Sequence, residues 1–200
     1  MPKKRNFLLG FLLIVSAFAL AACGSSESDE DKVVDVIETS VTSNDPADCT
    51  TLVTQAFVEQ GSDESGKAAI KDCEEEAEDE EETAESAEVT DVEVDGEKAT
   101  ANVAISGGGF DGQTVSVAVV KDGDQWKLDE ITSIVKLDNA ALAKTLETQF
   151  EDPEVKLSEA AIECIVGTVE EADTGEVEEL LLSGSSEIFV ELAEVCSEEG

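Results

Sequence analysis

Five cysteines, at positions 23, 49, 73, 164 and 196, are the residues of this chain best equipped for covalent chemistry. A thiol can carry lipid, pair into a disulfide, bind a metal or attack a carbonyl, and its neighbours decide which. Metal binding is disfavoured, because no two cysteines stand in a C-x-x-C spacing and the sequence has no histidine to complete a ligand set. Nucleophilic catalysis lacks an imidazole base for any serine or thiol. Carboxylates are abundant, 49 Asp+Glu against 12 Lys+Arg, but there is no histidine or tyrosine to work beside an aspartate base. Asp91 and Asp129 alternate with Val92 and Leu128, which turns them toward water. The acidic run at 74–85 (EEEAEDEEETAE) lacks the glycine and asparagine that shape a calcium loop, and reads as a solvated helix end or loop. The glycine cluster at 107–112 (GGGFDG) precedes a strand rather than a helix, so it reads as a turn and not as a phosphate cradle. Phe110, among those glycines, is expected at an exposed loop tip where it could touch a partner or a membrane. No catalytic residue, metal or cofactor is expected.

The N-terminus assigns a fate to Cys23. Lys3, Lys4 and Arg5 open the chain, and an apolar run follows from Phe7 to Ala22, interrupted by Gly10 and Ser16. At roughly 16 residues the run suits a secretory signal and falls short of the about 20 that span a bilayer. It ends Leu20-Ala21-Ala22-Cys23-Gly24, which resembles the lipobox of bacterial lipoproteins. That resemblance implies removal of residues 1–22, a diacylglyceryl thioether on Cys23, and attachment to the extracytoplasmic face of the cell membrane. Stable anchoring needs two acyl chains, each buried CH₂ contributing about 0.8 kcal/mol, and a diacylglyceryl group supplies both. Residues 24–31 (GSSESDED) have the composition of a flexible tether.

With Cys23 lipidated, four cysteines remain, an even number suited to an oxidising compartment. Pairing is expected to be local, Cys49 with Cys73 and Cys164 with Cys196, because the two pairs lie in segments of different character with a β-like stretch between them. Each bridge closes a loop of roughly 25–35 residues, which typically stabilises by about 2–4 kcal/mol. Removing 1–22 takes away three bases and no acid. That leaves 9 Lys+Arg against 49 Asp+Glu, a net charge of −40. Such a surface repels nucleic acid and anionic headgroups, and no nucleic-acid partner is expected.

The elements that must hold these residues follow from periodicity. Val33, Val34, Ile37 and Val41 share a helical face, stopped by Asn44-Asp45-Pro46. Leu52, Val53, Ala56 and Phe57 predict a second helix ended by Gly61, and a third is predicted at 66–76 through Ala69, Ile70 and Cys73. After Ser86 the period becomes two. Strands are predicted at 89–94, 98–106, 113–121 and 125–132, joined by Asp95-Gly96, by 107–112 and by Asp122-Gly123-Asp124. From Asn139 the pattern is helical again, through Ala140, Leu142, Ala143, Leu146 and Phe150. Three short helices are then predicted at about 158–171, 174–182 and 185–197, with Ser158, Thr174 and Ser185 as N-caps. The expected class is α+β: N-terminal helices packed on a curved four-stranded antiparallel meander, followed by a small disulfide-linked helical appendage. The expected divisions are a signal peptide at 1–22, an acidic tether at 23–31, a cone-like α+β domain at 32–138 and a helical module at 139–200.

The stretch 87–131, with its final turn and strand KDGDQWKL at 121–128, resembles the sheet of small exported lipoproteins of high-GC Gram-positive bacteria that have a nuclear-transport-factor-two-like cone fold. The resemblance spans about 32–135, and the tail resembles cysteine-paired helical modules of similar exported proteins. It implies a curved sheet over an apolar space. Some members are isomerases and hydratases with an aspartate base helped by tyrosine or histidine, and this chain has neither helper. Ala99, Ala101 and Val103, small residues on one face of the second strand, mark the candidate ligand pocket, although small residues equally let a helix pack close. Trp126, expected between sheet and helix, borders it. The expected function is that of a non-catalytic, membrane-anchored binding or scaffold module for an apolar small molecule or an envelope protein. The rival readings are a cone-fold enzyme and an acidic cation-binding surface protein.

Overall fold

The computed structural model describes residues 27–77, 83–150, 157–182 and 195–196. Cys23 and the signal-like run lie outside them, as does nearly all of the last expected helix. Helix α1 (Asp29–Thr42) starts four residues before Val33, the first apolar residue of its pattern, because Ser28 and Asp31 form a capping box. Ser28 Oγ accepts from the Asp31 N–H (3.1 Å), and Asp31 Oδ2 accepts from the Ser28 N–H (3.0 Å). The end of the expected tether is thus the first turn of a helix, where Asp29, Glu30 and Asp31 favour the positive end of the dipole. The buried stripe is Val33, Val36 and Ile37. Val36 takes the inward place expected of Val34, which is half-buried.

The second expected helix is two helices, α2 (Asp48–Thr51) and α3 (Gln55–Gln60), with a strand-like step between them. Val53 pairs in parallel with Leu128. The Leu128 N–H donates to Leu52 O and the Thr54 N–H donates to Leu128 O, both at 2.9 Å. Thr54 then caps α3, its hydroxyl accepting from the Phe57 N–H (3.2 Å) and donating to Asp129 Oδ1 (2.8 Å). The break leaves Ala56 exposed and buries Val58 instead. Helix α4 (Lys67–Glu76) follows Gly66, whose φ of 63° is open to glycine without strain.

Strands β1 (Ser86–Asp95), β2 (Lys98–Ser106), β3 (Thr114–Asp122) and β4 (Gln125–Lys136) form one antiparallel sheet in chain order. Alternation buries Ala99, Ala101, Val103 and Ile105 of β2, and Val115, Val117 and Val119 of β3. Together with α1, Val53, Val58, Ala69, Trp126 and Leu128 they make the main core. β4 runs four residues past its expected end. Val119, Val117 and Val115 face Leu128, Ile131 and Ile134, so the partner residues step by three where β3 steps by two. Each step absorbs an extra residue in β4, and such bulges bend a sheet. In β1 the inward residues Val89 and Val92 are likewise three apart, and Asp91 takes up the slip with a φ of 52°. The free edge of β1 carries Glu88, Asp91, Glu93 and Asp95, exposed charges that discourage a further strand. The β4 edge is covered. Besides the Val53 step, the Gln60 side chain gives to Ile131 O and takes from the Ile131 N–H, both at 2.8 Å.

The C-terminal helices α5 (Asn139–Phe150), α6 (Glu159–Glu171) and α7 (Thr174–Leu182) have two small cores of their own. One joins Leu142, Leu146, Val169 and Val177, and the other joins Ala161, Ile165 and Cys196. Gln113, buried to 1% exposure, clamps this module to the sheet. Its amide donates to Asp111 O (2.9 Å) and Asp138 O (3.1 Å) and accepts from the Asp138 N–H (2.8 Å). Asp138 in turn caps α5 through the Ala141 N–H (3.0 Å). The Asn139 amide donates to the carbonyls of Val169 (3.1 Å), Glu170 (3.3 Å) and Ala172 (2.9 Å), groups that a helix end leaves without intrahelical partners. Asn139→Ala should therefore cost about 1–2 kcal/mol in urea unfolding. An unchanged midpoint would show that water replaces the amide at no cost.

Candidate functional site

Two bridges form as the sequence suggests. Cys49–Cys73 has an S–S distance of 2.01 Å and a Cα–Cα distance of 6.1 Å, and Cys164–Cys196 has 2.03 Å and 5.6 Å. The first ties α2 to α4 and, in doing so, builds the wall of an open cleft of about 440 Å³. The cleft lies where the main core ends. Its apolar lining is Val41 from the last turn of α1, Cys49, Val53, Phe57 of α3, Cys73 and Phe110. Val41, Phe57, Cys73 and Phe110 are half-buried and pack against the main core, so each keeps one side on the core and one side open.

Phe110 reaches the cleft because its loop folds back. Gly107, Gly108 and Gly112 all have positive φ (81°, 65° and 76°). Asp111 Oδ1 accepts from the Gly107 N–H (2.7 Å), and the Gly112 N–H returns to Ile105 O (3.0 Å). Phe110 is therefore not the exposed tip its glycine neighbours suggest. A side chain at Gly112 would also collide with Ala141, whose Cβ would sit 2.7 Å from the added carbon.

The polar lining is acidic. Ser43, Asp45 and Asp48 stand on the turn between α1 and α2, and Glu76 stands at the end of α4. Asp45 Oδ1 accepts from the Ala47 N–H (2.9 Å), and Asp48 accepts from Ser43 Oγ (2.6 Å) and Thr51 Oγ1 (2.8 Å). These bonds fix the carboxylates in place. Among the described residues no lysine or arginine lines the cleft. The arrangement can bind an apolar group beside a positive one, and it offers no imidazole or phenol for proton transfer.

The expected pocket residues lie elsewhere. Ala99 (4% exposed), Ala101 (2%) and Val103 (0%) face inward from β2 in the packed core, and none of them lines the cleft. The small residues accompany close packing, the other reading open to them. Trp126, 4% exposed, also belongs to this core. Its indole N–H gives a long bond to Asp29 Oδ1 (3.4 Å), and Lys121 Nζ lies 5.3 Å from the ring centroid and 3.5 Å from Asp29. That N–H first, then Lys121 and Lys32, holds the Asp29 carboxyl below its ordinary value. Asp91 is exposed, as its alternation suggests, whereas Asp129 is half-buried under Thr54. Sequence reasoning missed the cleft, although the Cys49–Cys73 pairing was a signal that 45–57 and 73–77 face each other. Among the described residues no group of three or more metal-ligating side chains is arranged to hold a metal, and no helix is long and apolar enough to cross a membrane. No family model, curated protein or solved structure matches the chain.

Proposed function

We propose that the chain is an exported lipoprotein, held by lipid on Cys23 at the extracytoplasmic face of the cell membrane, whose folded part is a non-catalytic binding module. The observation that carries the reading is the Leu20-Ala21-Ala22-Cys23 sequence behind a basic, apolar leader. Two disulfide bridges support it, since such bonds persist in oxidising compartments. Helices followed by a four-stranded antiparallel meander are the order of elements that such a cone-like domain would have. The site proposed for binding is the cleft beside Phe57 and Phe110, because Ala99, Ala101 and Val103 belong to the buried core and none of them lines that cleft. Small-molecule sites are commonly concave, mostly apolar and about 300–1,000 Å³.

The test is Cys23→Ala in a host that lipidates its exports. The parent chain should fractionate with membranes and gain the mass of a diacylglyceryl group on a peptide that begins at Cys23. The variant should be released or remain unprocessed. Membrane retention of the parent without acyl mass would end the lipoprotein reading.

A further inference from the structure

We propose that the cleft binds an amphipathic organic cation, an apolar body carrying an ammonium group; this rests on the reading of the cleft as the binding site. Three observations converge on that chemistry. The first is size and lining: about 440 Å³ bounded by Val41, Val53, Phe57 and Phe110, with enough half-buried apolar surface to take an aliphatic or aromatic body. Burial of that body contributes about 25 cal/mol per Å² of apolar surface.

The second is the rim. Asp45 and Asp48 are held by hydrogen bonds from the backbone and from hydroxyls, and neither pairs with a cation among the described residues. A ligand ammonium would supply the missing positive charge while its apolar end leaves water. The third is the field of the whole chain. A net charge of −37 raises the local concentration of cations and repels anions at any mouth on this surface. A bare divalent ion is a poorer match. It takes six to eight oxygen ligands in calcium's case, and the apolar lining would do nothing for it.

The test uses three probes with one apolar body, a phenyl ring on four methylenes: 4-phenylbutylamine, 4-phenylbutanol and 5-phenylvalerate. Each is titrated into the mature chain, residues 23–200 with Cys23→Ala so that no acyl group competes, and followed by amide NMR shifts. The amine should saturate at one site, with shifts clustered at 45, 47–49, 57 and 110. It should bind at least about ten-fold more tightly than the valerate, the alcohol falling between them. Asp45→Asn keeps the acceptor for the Ala47 N–H and removes the charge. It should weaken the amine about two- to five-fold and leave the alcohol unchanged. Phe110→Ala should weaken amine and alcohol alike. Equal affinity for all three probes would overturn the cation proposal and leave the cleft as a binding site. No binding of any probe would overturn both. Amine binding that spreads over the surface, vanishes in 1 M salt and ignores Phe110→Ala would reduce the effect to the general acidity of the chain.

Discussion

Trp126→Ala is expected to destabilise the folded chain by about 3–5 kcal/mol, the range for truncating a large buried aromatic. The side chain is 4% exposed and lies in the same core as Val33, Ile37 and Leu128. Its loss opens a cavity between helix and sheet and removes the ring beside Lys121 and the N–H that reaches Asp29. Trp126→Phe separates these effects, because it keeps most of the apolar body and removes the N–H. The Asp29 carboxyl is held below 3.8 in the folded chain. A depressed carboxylate stabilises the fold above its unfolded pKa, and that contribution fades as pH falls through the lowered value. The stability gap between the parent and Trp126→Phe should therefore narrow below pH 3.8. A gap that stays constant down to pH 2 would reduce the role of Trp126 to packing alone.

Replacing Cys49 and Cys73 together with alanine should lower stability by about 3.5 kcal/mol, the chain-entropy expectation for a loop of this length. The two residues are 24 apart in sequence, and Cys49 is 5% exposed, so lost packing adds to lost cross-linking. Because the bridge is also a wall of the cleft, the same variant should lose probe binding. Replacing Cys164 and Cys196 should destabilise the C-terminal helices by a similar amount and leave the cleft intact, since that bridge belongs to a separate small core. Paired urea unfolding and probe titration would check both. Equal damage to cleft binding from the two double variants would mean that the helical module and the sheet domain share one cooperative unit.

Local patterns foretold β2 to the residue and both disulfide pairings, because these depend on strict alternation and on which segments neighbour each other. Four other features depend on contacts distant in sequence. Leu52, Val53, Ala56 and Phe57 have good helical spacing, yet Val53 is drawn onto Leu128 across the fold and Thr54 restarts the helix. Ile131 and Ile134 break alternation, so β4 reads as ending early. Only the register against β3 shows that bulges carry it on to Lys136. The cleft takes side chains from α1, α3, α4 and the loop before β3, and no window of sequence contains it. Ala99, Ala101 and Val103 have the right composition for a pocket floor, but occupancy is set by what packs opposite, which composition does not record.

The early start of α1 sets a leash length. If Cys23 carries the proposed lipid, residues 24–28 separate it from the first turn at Asp29, a reach of at most about 18 Å when fully extended. The folded part would thus ride close to the bilayer rather than reach out through the envelope, with the Asp29 end of α1 as its mooring. The cleft takes Ser40 and Val41 from the opposite end of the same helix, roughly 20 Å along its axis at 1.5 Å per residue. A mooring at one end and a mouth near the other would let the protein sample the water layer over the membrane, catching a cationic amphiphile on its way to the lipid.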